Sequence, residues 1–340
     1  MKTKSLLLGS AAALVAVTGA RAADAVIIPE PEAVEYVRVC DAAGTGFFYI
    51  PGTETCLRVG GYVRYNAGFG DFDGWDTDAD NQAETWSKQS RFNLDIRTYK
   101  DTDFGALTTR SNVNFNYTDN TGLVPNFDWN YIDLAGLRIG YARSLFTTFT
   151  GYGIATDWGG DYGFMETNLI QYNFASGAFS GAISFEQQAG GTYIDDYMPH
   201  VVAGVGFDAG VVDVTGVLGY DTVNNAWAGK LRADAAVVDG VTLSLQLLYT
   251  EAASAYGAQW VNGGDTLSVN TGFTADISDN ATIGAQVQWI DGVGGNADKW
   301  NASAMMTYDV DALTIMPEVH YTTQGGTDSW GGFLRFERSF

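Results

Sequence analysis

Histidine is almost missing from this chain: 340 residues carry two, His200 and His320. Neither stands at ligand spacing from the two cysteines, Cys40 and Cys56, so a cysteine–histidine zinc site is excluded. No His-Glu-x-x-His and no Gly-x-Ser-x-Gly occurs, and register offers His320 no serine and carboxylate to work with. The reading is no enzyme and no cofactor. Proline is sparse at 6. Charge is sparse too, 17 % of residues, where soluble proteins carry about a quarter. Basic residues are the rarer sign: 18 Lys and Arg stand against 40 Asp and Glu, a net charge of −22. That balance speaks against nucleic acid as a partner and for attraction of cations. Long apolar runs are also missing. After residue 22 nothing approaches the roughly 20 apolar residues that a membrane helix needs.

What is present starts with a leader. Lys2 and Lys4 precede the short apolar "SLLLGSAAALVAV", and "ARA" at 20–22 is a small-x-small cleavage site, so 1–22 reads as a signal peptide. Its removal leaves 15 basic against 40 acidic side chains, a net charge of −25. Export permits a disulfide between Cys40 and Cys56 in "CDAAGTGFFYIPGTETC". Closing that loop is worth roughly 3 kcal/mol in the chain-entropy model.

Glycine is abundant at 42 and aromatics reach 14 %, yet mean hydropathy is −0.05, so apolar and polar residues are finely interleaved. "VTLSLQLLYT" sets Val241, Leu243, Leu245, Leu247 and Tyr249 against Thr242, Ser244 and Gln246. "GLRIGYAR", "NATIGAQVQWI" and "LTIMPEVHY" alternate in the same way. Period two over about ten residues marks a strand between two different environments. Sixteen such strands are predicted, near 57–70, 85–100, 105–117, 127–134, 136–143, 167–175, 178–187, 199–208, 211–221, 226–236, 241–251, 265–277, 280–290, 299–309, 312–322 and 329–340. Pro317 falls inside one of them and predicts a local bulge.

Every second connection is a tight turn, such as "AG", "SGA" and "VDG"; the others are mostly longer and acidic or glycine-rich. An even strand count with short turns at one end fits an all-β, 16-stranded antiparallel transmembrane β-barrel over 57–340. Sandwich strands are shorter, and no propeller blade repeat occurs. Aromatics near strand ends, among them Tyr220, Tyr249, Trp300, Tyr308, Tyr321 and Trp330, suit interfacial girdles. The last strand, "FLRFERSF", must close on the first; Leu334, Phe336 and Phe340 share its outward face with Arg338, whose long side chain can reach headgroups.

The segment "EYVRVCDAAGTGFFYIPGTETCLRVGGYVRYN" resembles the N-terminus of the alphaproteobacterial outer-membrane porins of the rhizobial and brucella type. "IDLAGLRIGYARSLF" and the final "LRFERSF" carry the resemblance along the chain. It implies a multi-pass outer-membrane protein surrounded by lipid and lipopolysaccharide and assembled as a homotrimer. Phe340 would be the signal read by the assembly machinery. The implied function is passive diffusion of small hydrophilic solutes; a sugar- or cation-selective channel on the same barrel is the alternative. The third external loop, here 144–166, would fold inward as a constriction.

With apolar faces outward, register sends Arg58, Arg64, Arg91, Arg97, Arg110 and Arg138 to the lumen as a basic ladder. The loop adds Asp157, Asp161 and Glu166, and basic wall facing acidic loop would set a field across the pore. The same arginines could instead pair with carboxylates and anchor the loop. The acidic "DGWDTDADN" has carboxylates in calcium-loop spacing from Asp76, but Asn81 replaces the required glycine and Ser87 the closing glutamate. A solvated external loop is the better reading. Residues 23–56 precede the barrel on the periplasmic side, with plugging, bracing and lining roles all open.

Overall fold

Alternation of this kind leaves the backbone one economical arrangement: each strand pairs with both neighbours while its two faces meet different surroundings. The computed structural model describes residues 38–70, 87–118, 122–156, 160–187, 194, 197–251, 254–257, 265–292 and 297–340. Val39–Phe340 form one unit; of the other, Met1–Arg38, only Arg38 is described.

The strands are β1 (Phe48–Tyr49), β2 (Cys56–Gly70), β3 (Ser87–Thr102), β4 (Gly105–Thr118), β5 (Gly122–Leu134), β6 (Leu137–Arg143), β7 (Glu166–Ser176), β8 (Phe179–Glu186) and β9 (His200–Asp208). There follow β10 (Val212–Asp221), β11 (Ala226–Val238), β12 (Val241–Thr250), β13 (Thr266–Ser278), β14 (Ala281–Ile290), β15 (Lys299–Val310), β16 (Leu313–Gln324) and β17 (Thr327–Ser339). A single-turn helix α1 (Leu145–Thr148) follows β6. From β2 to β17 each strand pairs antiparallel with the next, and β17 returns to β2. Sixteen strands therefore close into a barrel, with the predicted strands all present.

Two predicted details differ. The strand expected from 127 begins at Gly122, with Pro125 inside it. Pro125 is opposite Phe115 on β4, whereas β6 pairs with β5 only from Asn130 to Leu134. The missing N–H thus falls on an edge, where proline is tolerated. At Pro317 no bulge forms. Pairing to β15 passes from Met305↔Glu318 to Tyr308↔Ile315 in one register, and the pairs between are simply skipped. The irregularities sit instead at Asn112/Val113, Ala236/Val238 and Asp276/Ser278.

Turn chemistry holds the register. Ala135 and Gly136 both have positive φ, 50° and 92°, as a two-residue hairpin of the primed type requires. A Cβ on Gly136 would stand 2.5 Å from the Asn173 carbonyl oxygen, so only glycine fits there.

The outer face is apolar and bare. On β12, Leu243, Leu245, Leu247 and Tyr249 are exposed, while Gln246, Leu248 and Thr250 between and beyond them are buried. An exposed band of this extent is a liability in water and the expected surface in a bilayer. Among the described residues no helix is long and apolar enough to cross a membrane. Tyr249, Trp300, Tyr321 and Trp330 stand exposed toward the strand ends opposite the Asp239–Gly240 and Asp311–Ala312 turns.

The seam uses both ends of the unit. The Phe340 N–H donates to the Gly61 carbonyl (3.0 Å), and the Gly61 N–H donates back to Phe340 (3.2 Å). Outside, the Phe340 ring lies over Phe92 at 6.2 Å, and Phe92 stacks on Phe115 at 6.0 Å. Below Gly61, the edge of β2 pairs with β1 instead, through Tyr49↔Cys56 and Phe48↔Leu57. The Cys40–Cys56 disulfide ties this hairpin down, with Cα atoms 6.0 Å apart. These contacts belong to residues 39–56; residues 23–37 lie outside the described residues.

Candidate functional site on the polar face of the sheet

The inner face begins with β2–β4, where charged and amide side chains alternate with the apolar ones. Arg58, Arg97 and Arg110 lie directly opposite one another on three neighbouring strands. Like charges so placed repel. Asp95 relieves two of them, meeting Arg97 at 2.6 Å and Arg110 at 2.9 Å. Higher on the wall Arg64 pairs with Glu337 at 2.6 Å. Arg91, opposite Arg64, has neutral partners: the Asn116 carbonyl (2.5 Å) and the Tyr62 hydroxyl (3.5 Å). Arg138 pairs with Asp133 at 3.3 Å and lies 4.2 Å above the Tyr131 ring. Asn93 donates to Asn112 and Asn114, both at 2.8 Å, and fills the wall between the arginine rows.

The second part is the segment between β6 and β7. Ser144 caps α1 by accepting from the Phe146 N–H (3.0 Å), and its own hydroxyl donates to Glu186 (2.6 Å). Glu186 is 1 % exposed. It also accepts from the Leu145 N–H (2.9 Å) and the Tyr256 hydroxyl (3.3 Å). Burial, followed by the neighbouring Glu186 carboxylate, pushes the Tyr256 phenol well above its ordinary pKa. Leu145 and Phe146 pack with Met165, Ala182, Val202, Val217, Ala228 and Tyr256 into the apolar cluster beside β8–β11. Small wall residues make the room: a Cβ on Gly204 would come within 2.7 Å of the Phe149 ring.

Beyond α1 the segment is held by strands far from its own. Lys230 on β11 donates to the Tyr162 carbonyl (3.1 Å) and lies 4.7 Å over the Phe146 ring. Arg232, on the same strand, donates to the Tyr152 carbonyl. On β14, Gln286 accepts from the Ile154 N–H (2.6 Å) and the Ala155 N–H (3.1 Å), and donates to the Tyr162 hydroxyl. Gln288 accepts from the Asp161 N–H (2.8 Å) and donates to its carbonyl (2.6 Å). On β16, Glu318 accepts from the Thr156 N–H (3.0 Å) and hydroxyl (2.7 Å). In a ring of sixteen strands, β14 is eight places from β6 and so diametrically across.

Of the acidic trio expected in this segment, Asp161 and Glu166 have separate partners. Asp157 lies outside the described residues, as does the 71–86 acidic stretch. Asp161 is bound by Lys299 of β15 at 2.9 Å. Glu166 is the first residue of β7; it accepts from the Tyr141 hydroxyl (3.0 Å) and lies 3.9 Å from Arg143. Among the described residues none of the six arginines named from sequence bonds the segment. Their partners all stand on their own wall. The anchoring falls to Arg143, Lys230, Arg232, Lys299, Glu186 and Glu318, none of them singled out from sequence. Their signal was nonetheless there: "GKLRAD" alternates Lys230, Arg232 and Asp234 with apolar residues just as the earlier strands do. Arg143 further binds Asp128 (2.9 Å) and the Tyr152 hydroxyl (2.6 Å).

Comparison with known proteins bears on this architecture. A family model described as the porin subfamily matches residues 24–335. Porin Omp2b of Brucella neotomae is 42 % identical over 378 aligned residues that cover 100 % of both chains. Among solved structures, the outer-membrane channel DcaP of Acinetobacter baumannii superposes with a TM-score of 0.69 at 15 % identity, covering 86 % of this chain and 99 % of that one. OmpT of Vibrio cholerae in its trimer form gives 0.56 at 12 % identity, covering 85 % and 100 %.

Proposed function

The chain belongs to the porin subfamily, a multi-pass outer-membrane β-barrel channel and not an enzyme, and from that premise we infer a general diffusion pore for small hydrophilic solutes and ions. Segment 144–166 is its constriction, folded into the lumen. The observation that carries this is the set of bonds from the segment to Gln286, Gln288 and Glu318, on strands at or near the far side of the ring. Polar inward side chains support an aqueous path, since a sealed barrel would pack its interior with apolar groups. Selectivity follows charge near the narrowest point, because distant charges are screened within about 8 Å at physiological salt. The arginine wall is partly neutralised by Asp95, Glu337 and Asp133. With wall and segment nearly balanced, the acidic external loops of a mature chain of net charge −25 then tip the pore toward a modest preference for cations.

Assembly as a homotrimer in lipid and lipopolysaccharide, after signal-peptide cleavage near Ala22, completes the reading. The trimer is supported by the trimer form of the structurally similar OmpT. Single-channel recording in planar bilayers tests the function. Ohmic current that added sugars do not saturably block is expected. A sealed barrel, or saturable block by one sugar, would replace the reading with a closed scaffold or a selective channel.

A further inference from the structure

The arginine wall holds more positive charge than its carboxylates match. Five guanidinium groups on β2–β4, those of Arg58, Arg64, Arg91, Arg97 and Arg110, share two bound carboxylates, Asp95 and Glu337. Among the described residues Arg58 has neither an ion pair nor a side-chain hydrogen bond. It stands exposed in line with Arg97 and Arg110. A structural role alone would have been served by threonine or asparagine, as it is on the rows between.

These three arginines open onto a recess of about 270 Å³ whose lining also includes Tyr62, Asn93 and Asn112. Its volume lies just below the 300–1,000 Å³ of typical organic-ligand pockets, so a small ion with its water suits it. Gly60 and Gly61 give it a wall of bare backbone. Asp95 and Asp128 also border the recess: Asp95 takes the Nε and Nη2 donors of both Arg97 and Arg110, which leaves Arg58 the one open fork there among the described residues, and Arg143 holds Asp128 at 2.9 Å and matches its charge. Guanidinium forks bind planar or tetrahedral oxyanions through paired N–H donors, a geometry that chloride cannot use.

We propose that this recess is a retention site for small multivalent oxyanions, phosphate-bearing solutes above all, placed on the lumen wall apart from the constricting segment. The proposal rests on the porin reading, because the ligand arrives through the lumen. It makes the pore non-uniform: cations are favoured overall, while phosphate-bearing solutes pause at one station on the β2–β4 wall.

Inorganic pyrophosphate is the probe. In planar bilayers at matched ionic strength, pyrophosphate should reduce chloride-carried current through the wild-type channel in a saturable way. Arg58→Gln should weaken that block about tenfold, the order expected for one charge-assisted contact. Arg58→Lys should lie between the two, keeping the charge and losing the fork. Arg338→Gln, on the outward face, should block like wild type. Calorimetric titration of the folded, detergent-solubilised protein with pyrophosphate reads the site without conduction. Saturable heat that Arg58→Gln weakens supports it. Conduction with no effect of pyrophosphate, equal block in Arg58→Gln and wild type, or no saturable heat would each overturn the site. Absent conductance with intact binding would instead remove the pore reading.

Discussion

Glu186 shows how much one side chain can decide. It accepts three hydrogen bonds at the point where the β6–β7 segment leaves the wall, from the Ser144 hydroxyl, the Leu145 N–H and the Tyr256 hydroxyl. Hydrogen bonds to a charged group contribute about 1.5–3 kcal/mol each, and buried donors left unpaired cost more than the bond itself. Glu186→Ala should therefore lower stability by about 3 kcal/mol and raise open-channel noise, read by thermal melting and single-channel recording. Glu186→Gln, which keeps an acceptor, should do less. Asp161 acts through charge instead. Lys299 neutralises it at 2.9 Å, so Asp161→Asn both removes a negative group and releases a cation at the proposed constriction. The reversal potential in a salt gradient should shift toward anions. An unchanged potential would place the selecting charges elsewhere.

At the scale of elements, the disulfide hairpin and the barrel seam are separable. β17 and β2 pair from Gly331↔Gly70 to Ser339↔Tyr62 without help from the hairpin, which adds only the short β1 to the free edge of β2. Cys40→Ser should lower the melting temperature, by an amount set by a loss of about 3 kcal/mol. The barrel should still form, with unchanged heat-modifiable mobility on a gel. Failure to assemble would show that the hairpin templates closure. The β6–β7 segment illustrates the other limit. Its strands are ordinary, yet its path depends on Lys230, Gln286 and Glu318, which the chain supplies 68, 132 and 162 residues away.

For the whole molecule, closure is the governing constraint. A barrel in lipid leaves no edge, so the last strand has to meet the first. Phe340 contributes the final pair with Gly61 and an outer ring stacked on Phe92. Deleting Phe340 should reduce the yield of the heat-modifiable folded form, measured on unboiled gels after expression in an outer membrane. Normal yield would make the terminal aromatic incidental.

The sequence by itself determined the barrel. A period of two needs no tertiary information, because each residue's face follows from its neighbours, and sixteen repeats with alternating turn lengths leave few ways to pair. It also determined which residues share a face of the sheet, and the cysteine pair. Even Lys230 and Glu318 were readable as inward-facing by the same rule. Only the tertiary structure decided what those inward groups touch. It shows Asp95 shared by two arginines, Asp161 given to Lys299, and Glu186 placed beneath Ser144. The physical reason is range. Strand pairing is local and repeats from neighbour to neighbour, whereas the contacts of the β6–β7 segment join strands half a circumference apart, and no short-period pattern encodes that distance.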